Sequence, residues 1–111
     1  MQINRKIYDV LIDTENNPEG WLYLPKSSKD WNLETIGIFV DDEFGEEEEK
    51  TQQLLANGWI ETLETTLIED VIYHAKEQKE NVTTEELLEA FIYYFENDAF
   101  KEYMKKTLEI I

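Results

Sequence analysis

Apart from the carboxylates, the side chains able to do chemistry are few and scattered. The one histidine, His74, falls three residues after Val71 and seven after Leu67, at the border of an apolar stripe. That position suits a half-buried structural imidazole, and no partner is fixed beside it that would make it a general base. The two serines, Ser27 and Ser28, lie together between Lys26 and Lys29, with no G-x-S-x-G turn to expose a nucleophile. Cysteine is absent, which excludes a thiol nucleophile, a disulfide and a Cys-based zinc site. Gly20, Gly37, Gly45 and Gly58 are too dispersed to build a dinucleotide or P-loop phosphate cradle.

Carboxylates are the exception. Residues 41–49 read DDEFGEEEE, seven acids in nine positions. A calcium loop starting at Asp41 would need a glycine where Glu46 stands and a bidentate glutamate where Gln52 stands. Starting at Asp42 puts Phe44 at the third ligand position, so the EF-hand pattern fails in both frames. No catalytic carboxylate pair stands out among 26 acidic residues. The expectation is therefore a chain with no catalytic residues, no cofactor and no metal. Two compatible readings of the run remain: acids favoured at a helix N-terminus by the macrodipole, and a surface facing a basic partner.

The totals narrow the partner. With 10 basic against 26 acidic residues the formal net charge is -16, which repels nucleic acid and anionic membranes alike. The charge divides evenly, thirteen acids and five bases in residues 1–58 and the same in 59–111, so only the 41–49 run is locally dense. Apolar runs such as Ile36-Gly37-Ile38-Phe39-Val40 fall far short of the ~20 residues that span a bilayer. The N-terminal segment has no apolar stretch of signal type, so a cytoplasmic location is expected. A length of 111 residues, with 41% hydrophobic and 13% aromatic content, predicts a single domain over 1–111.

The elements follow from spacing. Ile3, Ile7, Val10 and Leu11 predict a helix from about 3 to 13, stopped by Asn16-Asn17-Pro18-Glu19-Gly20. Trp21–Leu24 and Thr35–Val40 predict strands, joined by a polar loop, 25–34, whose Trp31 folds back. A helix should begin within the glutamates and end at Asn57-Gly58, with a short third strand over Trp59–Leu63. Thr66 with Glu69, and Thr83 with Glu86, carry capping-box spacing before two amphipathic helices; a third helix is expected on Phe100, Tyr103, Met104 and Leu108. The predicted class is α+β: a small antiparallel or mixed sheet of about three short strands against four to five helices, with an all-helical C-terminal half.

Four stretches carry a resemblance: Trp21-Leu22-Tyr23-Leu24-Pro25, Trp31-x-Leu33-x-Thr35, the strand ending in Asp41-Asp42, and Leu87-Leu88-Glu89-Ala90-Phe91-x-Tyr93-Tyr94-x-x-Asn97-Asp98-Ala99-Phe100. Over residues 1–100 the chain resembles small bacterial domains similar to the immunity proteins of contact-dependent inhibition and other polymorphic toxin systems. That resemblance implies a non-enzymatic inhibitor whose partner is a cognate toxin domain, often a nuclease with a basic cleft. Carboxylates would steer the encounter, and an aromatic anchor would lengthen its lifetime. On this expectation the toxin-binding residues are Asp41, Asp42, Glu43, Glu46 and Glu47, with Trp31 as the anchor isolated in a polar loop. The alternative is an acidic adaptor or nucleic-acid mimic that binds a basic host protein.

Overall fold

The computed structural model describes residues 2–40 and 48–100. Its class is α+β, with a four-stranded antiparallel sheet and, among the described residues, four α-helices. In chain order these are β1 (Gln2–Lys6), α1 (Ile7–Ile12), β2 (Trp21–Leu24), β3 (Ile36–Val40), α2 (Glu48–Ala56), β4 (Ile60–Glu64), α3 (Thr65–Gln78) and α4 (Thr84–Asn97). The sheet order is β1-β3-β2-β4.

The expected architecture needs correction in two places. The sheet has four strands rather than three, because Gln2–Lys6 is a strand and not the first turn of a helix over 3–13. The C-terminal half is not all helical, because β4 lies within it. Ile3 stands at helical spacing from Ile7, yet it pairs across the sheet with Phe39. Arg5 fixes the strand from outside, donating to the Asp13 carbonyl at 3.2 Å, to the Asp13 carboxylate at 3.1 Å and to the Asn17 side chain. Helix starts at Ile7, and it buries Ile7, Val10 and Leu11 as their spacing requires.

Strand alternation splits the core in two. Leu22, Leu24, Phe39 and Leu63 turn to one face and pack beneath α1, α3 and α4. Tyr23 and Val40 turn to the other face and meet Leu54 of α2, with Trp21, Ile38 and Trp59 around them. Gly37 sits where β2 comes closest: a Cβ there would lie 2.6 Å from Leu22 Cδ1 and 2.9 Å from Leu24 Cδ2. Gly58 ends α2 with a φ of 90°, the positive value that glycine adopts at no steric cost.

The two long helices start differently. At α4 the capping box forms as its spacing predicts: the Glu86 N–H donates to Thr83 Oγ1 at 3.1 Å, and the Thr83 N–H donates to Glu86 Oε1 at 2.9 Å. At α3 it does not. That helix starts two residues earlier, with Glu64 in the cap position and no side-chain cap bond. Thr65 instead donates its hydroxyl to the Pro18 carbonyl at 2.5 Å, tying the helix to the turn before β2. The third C-terminal helix expected on Phe100, Tyr103, Met104 and Leu108 falls, beyond Phe100, outside the described residues.

Candidate protein-binding groove

Five of the expected contact residues, Asp41, Asp42, Glu43, Glu46 and Glu47, lie outside the described residues. The sixth, Trp31, is not a surface anchor: it is 6% exposed. Its indole meets Phe91 edge-on at 6.4 Å and Phe95 at 5.6 Å, and Nε1 donates to the Pro25 carbonyl at 2.7 Å. The loop polarity that suggested exposure is real, but a 3-10 turn at Ser28–Asp30 folds the ring inward and the Pro25 carbonyl meets its only polar atom.

The combination sought at Trp31 occurs elsewhere. Tyr73, on the outer side of α3, is 68% exposed. It is the ring that spacing reasoning passed over, although a signal existed. Leu67, Ile68, Val71, Ile72 and Ala75 make the apolar stripe of α3, whereas Tyr73 has Glu69 and Asp70 a turn before it and Lys76 and Glu77 a turn after it. An aromatic among carboxylates on the polar side of an amphipathic helix does not serve that helix's core.

These residues border an open groove of about 400 Å³, lined by Thr14, Glu69, Asp70, Ile72, Tyr73 and Lys76. Thr14 contributes from the turn after α1, Ile72 supplies a buried apolar base, and the others stand on successive turns of α3. The Tyr73 hydroxyl hydrogen-bonds to Glu77, and that bond together with the Glu77 charge raises the phenol's pKa above its ordinary value. The ring lies at the surface, 68% exposed. Neither Glu69 nor Asp70 is in an ion pair among the described residues; those pairs are Arg5–Asp13, Lys6–Glu34 and Lys79–Glu86. Such a groove suits an apolar stem ending in a cation, with the stem lying along Tyr73 and Ile72 and the charge meeting a carboxylate.

Bond-breaking chemistry finds less to work with. His74 is half-buried, as its spacing predicts, and its ring stacks on Phe100 with centroids 4.5 Å apart. Its Nε2 is buried with no hydrogen-bond partner among the described residues. Ser28 donates to Glu96 at 3.3 Å. Among the described residues no group of three or more His, Cys, Asp or Glu side chains could hold a metal ion, and no helix is long and apolar enough to cross a membrane. Tyr93 of α4 is exposed, whereas its neighbour Tyr94 packs on the core.

Comparison with known proteins places the chain without assigning it an activity. No curated protein and no solved structure matches it. The model of one domain family matches residues 4–103, a span that runs from within β1 through α4. The chain therefore belongs to the family described as a domain of unknown function, DUF7716.

Proposed function

We propose that this domain is a non-enzymatic, cytoplasmic immunity-type protein that binds and neutralises a basic toxin domain. The observation that carries the reading is charge: -16 over 111 residues. The excess carboxylates attract a cationic partner from a distance, and an inhibitor of this kind occupies a cleft built for a polyanion. The similarity to polymorphic-toxin immunity domains supports the same reading. The Tyr73 groove adds an exposed tyrosine, a residue type enriched at interface hot spots, beside carboxylates that complement a cationic partner.

The test is to co-express the chain with the product of each neighbouring gene and to score growth rescue and pull-down of the pair. Rescue of growth from one neighbour's product supports the reading, and failure with every neighbour rejects it. For a rescued pair, charge reversal at Asp41, Asp42, Glu43, Glu46 and Glu47 is expected to slow association about tenfold or more and to flatten its salt dependence. Unchanged kinetics would remove the run from the interface. Capture of a basic nucleic-acid-binding protein without growth rescue would point instead to the adaptor or mimic.

A further inference from the structure

We propose that β1 is a self-pairing edge, and that two copies of this domain join through it, antiparallel, into one eight-stranded sheet. β1 and β4 are the two edges of the sheet. The phase of the β1–β3 ladder is fixed where the Ile7 N–H donates to the Thr35 carbonyl at 2.8 Å. Bonded and non-bonded positions alternate in an antiparallel pair, so with Ile3 opposite Phe39 and Arg5 opposite Gly37, Ile3 and Arg5 bond inward. The backbone groups of Gln2, Asn4 and Lys6 then point outward, where no described strand meets them.

The two edges differ in their defences. β4 has a register irregularity opposite Trp21 and Tyr23 and presents exposed Glu61 and Glu64, two devices that stop a strand from being extended. β1 has a regular five-residue register, no proline and an Ile3 that is 36% exposed. Its two cations are already matched within the chain, Arg5 by Asp13 and Lys6 by Glu34, and residues 1–8 contain no acid. On a strongly anionic molecule this strand is the segment where two copies meet with the least repulsion.

One guarded and one unguarded edge also select the symmetry. Pairing β1 with β4 of another copy would run on as an open fibre, and the defences of β4 oppose it. Pairing β1 with β1 about a twofold axis closes after two copies. Centred on Asn4, that pairing sets the Asn4 backbones against each other, Gln2 against Lys6 and Ile3 against Arg5. It uses every outward backbone group and puts no like charges opposite. An interface built on one short strand is small, so the dimer is weak and concentration-dependent.

Sedimentation velocity on the full chain tests this. At about 100 µM, in the range a small interface allows, the expected mass is that of two chains, falling to one on dilution. More salt shifts the balance toward dimer, because it screens repulsion between two anions. Asn4→Pro removes an outward N–H while sparing the inward ladder, since an edge strand tolerates proline on its solvent side. It should leave the circular dichroism and thermal midpoint near wild type and abolish the dimer. Should that variant misfold, Ile3→Lys serves instead, because it sets Lys against Arg5 twice in the dimer and changes an exposed position. A wild-type chain that stays monomeric throughout, or a dimer that survives in the folded variants, overturns the proposal.

Discussion

Trp31 and Tyr73 are both large rings with one polar atom, and where that atom finds its partner decides what each ring does. The Trp31 Nε1 reaches the Pro25 carbonyl, so the indole can be buried against Phe91 and Phe95. Tyr73 stands among Glu69, Asp70 and Glu77 on the outside of α3, and its ring stays at the surface, 68% exposed. Their alanine variants should therefore separate folding from binding. Trp31→Ala is expected to lower unfolding free energy by about 3–5 kcal/mol, the cost of emptying an aromatic site in a core. Tyr73→Ala should change it by less than about 0.5 kcal/mol while weakening partner capture about tenfold or more. Urea unfolding and titration of the pair give the two numbers; a large stability loss at Tyr73 would make it structural. The sequence held part of this contrast. Helical spacing alone places Tyr73 outside the α3 stripe, but nothing in residues 25–34 announces that a carbonyl six residues before Trp31 will accept from its indole.

Elements whose own chemistry decides them were the ones spacing could place. Strands β2 and β3, the end of α2 at Asn57-Gly58, and α4 with its capping box all follow from local patterns. β1 does not, because Gln2–Lys6 is extended by virtue of its pairing with β3, thirty and more residues away, and its Ile3 mimics a helical phase. The start of α3 was missed by two residues for a similar reason, since Thr65 is held by carbonyls of the turn before β2. The α4 cap offers a pH test. Hydrogen bonds from Lys79 and from the Thr83 backbone lower the Glu86 pKa to about 2, against the usual value of 4.5. A depressed carboxylate stabilises the fold fully above its unfolded pKa and loses that contribution as pH falls through the folded value. Between pH 4.5 and about 2, the thermal midpoint should therefore fall further in wild type than in Glu86→Gln. The carboxylate faces solvent, so salt should narrow the gap. Parallel curves for the two proteins would show that the cap carries no pH-dependent stability.

At the scale of the whole molecule, one quantity acts with opposite signs on three equilibria. A net charge of -16 on 111 residues repels itself, repels a second copy and attracts a cation-rich partner. The Debye length falls from about 30 Å at 0.01 M salt to about 8 Å at 0.15 M, so between these limits the carboxylates stop acting across the domain and act only on near neighbours. Three responses to salt should then appear together. The thermal midpoint of the free domain rises by several degrees as self-repulsion is screened; the β1-paired dimer strengthens; and association with a basic toxin domain slows about tenfold or more, because steering is lost. A scanning-calorimetry series, sedimentation and stopped-flow mixing in the same buffers measure all three. A thermal midpoint that does not move would mean that the acids are compensated within the fold. The excess charge would then be unavailable to a partner as well. A midpoint that rises while association with the rescued toxin is insensitive to salt would place the carboxylates on a face the partner never meets, leaving the Tyr73 groove and its apolar base to account for the contact.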